Sequence, residues 1–366
     1  MLLERYNKMM RENAPVNLDR YAKTKTLQKL KGRGLFCGMD YVGIKELIPI
    51  VFYSRFYHSL NTAYTASKIT DNLSVILAGL VHDVGTLDFS HVNSFKKGNQ
   101  LKQDSDELDI KSIILRDEEF LEYLYEDRVD LDSIVFPEKY PLIDKEIPCL
   151  CLDRVEGGIL ATCLFWAHTH SFEEINDLYN MLCYIDNLNG MCVDTMNPRF
   201  QNFNGEVFIN EHNSNADYED FFRAINIYSE KLLSKESRYM MEILGLTLRF
   251  YEDMGVIDEN VLFDLSEREV IDRIMNSRYK DIWVDVTNIE SVKYGETGLS
   301  FISKPKIRQA NPLCMGQMCL TEIDGISGTF YRELNNLWDS LEKLDKPITA
   351  NLSNATVKTL EKYRKR

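Results

Sequence analysis

The sequence predicts a mainly α protein with a small C-terminal α/β region. Through the first two-thirds of the 366 residues, segment after segment places apolar residues near i, i+3, i+4 and i+7, the period of one helix face. From about residue 281 to 325 the pattern changes to short runs of β-branched and aromatic residues bounded by Gly, Pro and Asn. A composition of 44% hydrophobic and 27% charged residues with only 18 Gly and 9 Pro is that of a globular chain, so most of it should fold.

The helical segments come in order as LNTAYTASKI (60–69), LSVILAGLVHDVG (73–85), IKSIILRDEEFLEYLYE (110–126), GGILATCLFWAH (157–168) and the long FRAINIYSEKLLSKESRYMMEILGLTLRFYEDMG (222–255). None contains proline, and together they describe one all-α domain over residues 15–275. DIWVDVTNI (281–289) and GLSFISKPKI (298–307) read as strands of a smaller α/β region over residues 276–366. Residues 94–112 are polar and 189–220 rich in Asn and Asp, so both read as solvated loops. The basic end, KTLEKYRKR, reads as a solvated helical tail.

Composition also excludes function classes. With 57 acidic against 43 basic residues the net charge is −14, a field that repels polyanions, so no long nucleic acid is expected as a partner. No apolar run reaches the roughly 18 residues a membrane span needs, and the first fifteen residues carry charges, so the expected location is the cytoplasm. Eight cysteines without C-x-x-C spacing predict reduced, buried thiols in place of a zinc knuckle or disulfide framework.

Three segments hold the residues with chemistry in them: SRFYHSL with Arg55 and His58, AGLVHDVGTLDFSH with His82, Asp83 and His91, and CLDRVEGG with Asp153 and Arg154. His58, His82, Asp83 and Asp153 offer two imidazoles and two carboxylates, a set that suits a hard or borderline divalent metal ion such as Mn, Mg, Fe or Zn. His82 and Asp83 end an apolar helix, which delivers both side chains rigidly. Taken singly each is ambiguous, since a His-Asp pair often ends a helix and an aspartate such as Asp153 can pair with Arg154 or cap a helix.

The combination of R-x-x-H opening a helix, HD 24 residues later, and an Asp opening an apolar helix about 70 residues further on resembles the HD-domain metal-dependent phosphohydrolase superfamily. Within it, SRFYHSL and HDVGTLDFSH are most similar to the deoxynucleoside triphosphate triphosphohydrolases, and LQKLKGRGLF, IWVDVTNI and SFISKPKIRQANPL resemble further segments of that family. The resemblance implies an HD-type helical fold in which His58, His82, Asp83 and Asp153 bind the metal. It makes His91 the residue at the scissile phosphate, Arg55 a phosphate contact and Arg154, in place of a usual lysine, a substrate-binding cation. It also implies a nucleotide substrate and assembly as a homo-oligomer.

Departures from the family pattern bear on the substrate. Thr86 stands where relatives have histidine or asparagine, Asp88 where they have proline, Ser94 where an acidic residue orients the histidine, and Gly157 and Ala161 where sugar contacts fall. His168, His170 and His212 read as loop or helix-end residues, and Tyr228, Tyr239 and Tyr251 as core. The leading expectation is hydrolysis of a dNTP to deoxynucleoside and triphosphate. The alternatives are an HD-type phosphatase or phosphodiesterase on another nucleotide, and a nucleotide-binding regulator with weak or no catalysis.

Overall fold

Two helices, α2 (Arg55–Ser67) and α3 (Leu73–Val81), form the centre of the molecule. All of Val75 to Val81 is buried, as the uniformly apolar sequence of α3 requires, and the Asn72 side chain accepts from the Ser74 amide to start the helix. The two helices approach closely because Gly79 has no side chain: a β-carbon there would stand 3.0 Å from Ile143 and 3.7 Å from the Ala63 backbone. In this computed structural model, residues 2–12, 14–98, 101, 108–147, 149–158, 200–203, 206–209, 229–306, 313–314, 318–319 and 341–364 are described.

Ahead of this pair, α1 (Leu2–Arg11) packs on α2 through Tyr6 and Met10. After it come the short α4 (Val92–Lys96), α5 (Glu118–Glu126) and α6 (152–158), and then the 19-residue α7 (Lys235–Asp253), which lies across α4. A β-carbon on Gly245 of α7 would stand 2.8 Å from the Lys96 amide, so this crossing too requires glycine. Capping side chains divide two stretches that periodicity alone predicts as continuous. Asp117 accepts from the Phe120 amide and breaks 110–126, while Ser234 accepts from the Ser237 amide and separates 229–233 from α7.

Downstream, α8 (Glu267–Met275) opens with a reciprocal Ser266–Glu269 capping box and α9 (Lys280–Thr287) follows. Here the strand expectation for DIWVDVTNI is corrected: residues 280–287 are helical. Trp283 and Val286 lie three apart and are both buried while Val284 is exposed, so packing of one helical face overrides the β propensity of the valines. Among the described residues the strands are β1 (Phe200–Phe203), β2 (Glu206–Ile209), β3 (Val292–Tyr294), β4 (Ser300–Phe301), β5 (Leu313–Cys314), β6 (Met318–Cys319) and β7 (Ile348–Ala350).

They make a sheet of order β1-β2-β5-β6, in which β2 and β5 run parallel, and an antiparallel sheet of order β3-β7-β4. β1 and β2 correct the loop reading of 189–220 at residues 200–203 and 206–209, the rest of that stretch lying outside the described residues; Phe203 pairs with Glu206, and the sequence between them is Asn-Gly, a hairpin signal that the polar composition hid. The C-terminal helix α10 (Asn354–Arg364) is also not a solvated tail: Leu360 and Tyr363 are buried and the helix packs on α7.

One buried apolar core runs from Tyr6 to Tyr363, each of its fully buried Leu, Ile or Val side chains contributing about 1.5–3 kcal/mol. A division into folding units at 275/276 therefore remains a proposal, made against a core that both stretches share. Among the described residues Cys37, Cys149 and Cys151 are free thiols, the first and last buried and Cys149 partly exposed. Among the described residues no helix is long and apolar enough to cross a membrane.

Candidate metal centre

His58 lies one turn into α2, His82 and Asp83 follow directly on α3, and Asp153 is at the start of α6. The packing of α2 on α3 brings side chains 24 residues apart into contact: the Nε2 atoms of His58 and His82 are 3.2 Å apart. Asp153 Oδ1 lies 2.8 Å from Nε2 of His58 and 3.6 Å from that of His82. Asp83 Oδ2 lies 3.8 Å and 3.5 Å from the same two nitrogens. His58, His82 and Asp83 offer donor atoms within 4.8 Å of one another, and Asp153 Oδ1 adjoins the nitrogens of both histidines.

The surrounding hydrogen bonds decide which atoms point inward. The other ring nitrogen of His82, Nδ1, lies 2.7 Å from the Gly79 carbonyl, and that of His58 meets Glu156 Oε2. A carbonyl and a carboxylate only accept, so in each ring Nδ1 carries a hydrogen and Nε2 is the atom turned to the centre, where His58 Nε2 meets Asp153 Oδ1 and holds a proton or, with a cation bound, offers a lone pair. On Asp83, Oδ1 accepts from Arg55 and, at 3.1 Å, from Thr86, which leaves Oδ2 buried, facing the two histidines and without a hydrogen-bond partner among the described residues. Lone pairs gathered in a buried place repel one another unless protons or a cation lie among them, and this donor set fits a divalent cation.

Titration follows from the same contacts. Burial opposes the His58 imidazolium, but Glu156 and Asp153 favour it and lift its pKa to about 10. Burial would raise the Asp83 carboxyl, yet Arg55, His82 and His58 pull it down to about 2. Partial burial works against the Asp153 carboxylate as well, yet His58 and His82 hold it well below the usual carboxylate range. A cation competes with these protons for the same lone pairs.

The remaining predicted residues surround a cavity of about 420 Å³ that opens onto the four. His91 lines it from the start of α4, carried there by a turn in which Phe89 and Ser90 take positive φ values of 59° and 46°. Arg55 lines it as well, but its guanidinium is buried and engaged, donating to Asp83 and, at 3.0 Å, to Ser90 Oγ. Its first role is to orient Asp83. Arg154 also borders the cavity, with its guanidinium holding the Cys149 and Lys145 carbonyls of the preceding loop. Lys231 and Lys306, not singled out in the sequence, add basic side chains to the wall, and Leu35, Phe36 and Met39 give it an apolar side.

Tyr239 and Tyr251 are core residues whose hydroxyls donate to the Leu299 and Tyr279 carbonyls. Asp88, read as a substitute for proline, is buried 3.4 Å from Arg33. Ala161, His168, His170, His212 and Tyr228 lie outside the described residues.

Sequence reasoning missed Glu156. It stands one helical turn after Asp153, and D-x-x-E at the head of α6 puts both carboxylates on one face, so the spacing held the signal. Tyr53, just before α2, was missed as well; its hydroxyl donates to Glu156 Oε1 at 2.5 Å.

Comparison with known proteins adds a family to this geometry. The family described as HD domain matches residues 55–136, which include Arg55, His58, His82, Asp83 and His91 and stop short of Asp153 and Glu156. No curated protein matches the chain. Among solved structures the chain is similar to a hypothetical protein from Aquifex aeolicus, with 15% identity over 78% of this chain and 73% of that one and a TM-score of 0.46.

Proposed function

We propose that this chain, which carries an HD domain at residues 55–136, is a metal-dependent phosphohydrolase that splits a dNTP into deoxynucleoside and triphosphate. The observation that carries the reading is the convergence of His58 Nε2, His82 Nε2, Asp83 Oδ2 and Asp153 Oδ1 on one centre beside a cavity. His58, His82, Asp83 and Asp153 would hold a divalent cation, whose chemistry when bound would be to offset charge on a phosphate oxygen and to make water acidic near neutral pH.

The chain's own residues supply the rest. Lys231 and Lys306 bring positive charge to the cavity wall, where a polyphosphate is drawn in despite the net charge of −14. His91 reaches the same space and serves as proton donor to the leaving oxygen. The apolar side formed by Leu35, Phe36 and Met39 takes up the base and excludes water from the reacting phosphate.

Gly157 favours a second substrate reading. It lines the cavity, and even a β-carbon there would lie 3.4 Å from His58 Cε1, so this position gives the sugar no side-chain contact. A phosphatase or phosphodiesterase acting on another nucleotide follows from that.

Chromatography of products from a broad nucleotide panel with Mn²⁺ or Mg²⁺ tests both. Tripolyphosphate and nucleoside support the dNTP reading, and orthophosphate or a monophosphate alone supports the second. Binding without turnover under any metal makes the protein a nucleotide-binding regulator. Activity that survives His82→Ala combined with Asp83→Ala removes the basis for all metal-dependent readings.

A further inference from the structure

Glu156 is 1% exposed, and its two oxygens face opposite ways in function. Oε2 takes the Nδ1 hydrogen of His58, while Oε1 accepts from the hydroxyls of Tyr53 at 2.5 Å and Tyr6 at 3.1 Å. Tyr6 belongs to α1, 150 residues away in the chain, and is itself 1% exposed. The next residue, Asn7, accepts from Asn61 Nδ2 at 2.8 Å, and the same amide group donates to the Tyr53 hydroxyl oxygen at 2.9 Å. These contacts form a closed network running from the first helix through a buried carboxylate to an imidazole whose other nitrogen faces the metal centre.

We propose that α1 is a working part of the metal centre: Tyr6, with Tyr53, clamps Glu156 so that the carboxylate fixes the His58 ring, and docking of α1 is thereby linked to metal binding. The proposal rests on the metal reading of His58, His82, Asp83 and Asp153. Its physical basis is that a partner hydrogen-bonded to the outer nitrogen of a ligating histidine sets both ring orientation and basicity. A buried carboxylate keeps that role only while its second oxygen is satisfied. Linkage then works in both directions, so whatever loosens α1 weakens the metal, and bound metal tightens α1. Tyr6 and Tyr53 are positioning residues, since neither reaches the centre itself.

The test uses the full chain, stripped with EDTA. Titration calorimetry with Mn²⁺ is expected to show about 10-fold weaker binding by Tyr6→Phe, the low end of what loss of an outer partner costs. Hydrogen exchange read by mass spectrometry should show Mn²⁺ slowing the amides of residues 2–11 in the wild type and failing to do so in Tyr6→Phe. A tyrosine that merely fills space moves neither readout. Wild-type Mn²⁺ affinity in Tyr6→Phe, with exchange of α1 indifferent to metal, overturns the proposal while leaving the metal reading intact. Absence of Mn²⁺ binding by the wild type is a different result, which overturns the metal reading and this inference together. Should Tyr6→Phe melt early without metal, Asn7→Ala carries the same test, because it loosens α1 with Tyr6 in place. Weaker Mn²⁺ uptake then supports the linkage and unchanged affinity refutes it.

Discussion

Asp83 and Asp88 stand five residues apart between α3 and α4, both buried, and the protein treats them in opposite ways. Asp83 has Arg55, His82 and His58 against it and stays ionised, with a pKa of about 2. Asp88 is pushed up to about 9 by burial and by Glu267, which together outweigh Arg33. Nearby, Asp40 is raised to about 7 by burial and Glu267, and Glu267 is itself raised by its burial. Acidic residues alone therefore do not make a cation site. Around Asp83 the carboxylate has Arg55 and two imidazoles beside it, whereas around Asp88 burial without enough cationic partners favours the protonated carboxyl. The second cluster has a mechanical use: Glu267 accepts the Phe89 amide at 3.1 Å and so supports the left-handed turn that leads to His91.

The widest separation between the clusters should appear on deleting Asp83. Asp83→Ala strands the buried Arg55 guanidinium without its carboxylate, a change expected to cost about 3–5 kcal/mol in urea unfolding and to abolish Mn²⁺ uptake measured by calorimetry. Retention of stoichiometric metal would place the binding site elsewhere.

How much of this was legible in the sequence differs by kind of signal. Helices such as 73–81 are legible because their whole circumference is buried, and His82 and Asp83 stand out because they follow directly on that apolar helix. Residues 280–287 were misread since valines favour strands in isolation, while burial of Trp283 and Val286 is decided by distant partners. The β1–β2 pairing is hard to read because Asn and Asp dominate the composition around it and neither FQNF nor EVFI alternates, which leaves Asn-Gly as the signal. Tyr6 had no local signal at all: its importance lies in a partner 150 residues away. The engaged state of Arg55 and Arg154 was equally invisible, since an arginine's charge is read from sequence and its hydrogen bonds are not.

Smaller changes sharpen the contrast. Glu156→Gln keeps the shape of the side chain but removes the charge that favours Nδ1–H on His58, and should weaken Mn²⁺ binding about 10- to 100-fold in titration calorimetry with little change in fold. An unchanged affinity would mean that His58 needs no partner to hold its ring.

At Asp88 the sign reverses. A carboxyl whose folded pKa is about 9 binds more protons folded than unfolded between its ordinary 3.8 and 9, so its contribution to stability falls as pH rises through that window. The groups that set this are Arg33, Glu267 and Glu269, with Tyr41 nearby. Asp88→Asn removes the titration and should leave stability unchanged near pH 4 while raising it by about 1–2 kcal/mol near pH 8, as neutralising poorly compensated buried charge does. Urea melts across pH that run parallel for the two proteins would show Asp88 to be ionised like Asp83.

The smallest effect is expected between the two clusters, at Thr86. Its hydroxyl donates to Asp83 Oδ1 at 3.1 Å, and the residue is 2% exposed, so Thr86→Val exchanges one buried donor for a methyl group of similar size. Arg55 still holds the same oxygen, so the charge on Asp83 is retained and only the rotation of the carboxylate is loosened. A loss of about 0.5–1.5 kcal/mol in urea unfolding follows, with a fall in Mn²⁺ affinity smaller than that of Glu156→Gln. Thr86→Ser, which keeps the hydroxyl, should restore the affinity. If Val and Ser behave alike, Thr86 acts by packing alone, and Arg55 by itself turns Asp83 Oδ2 toward the histidines.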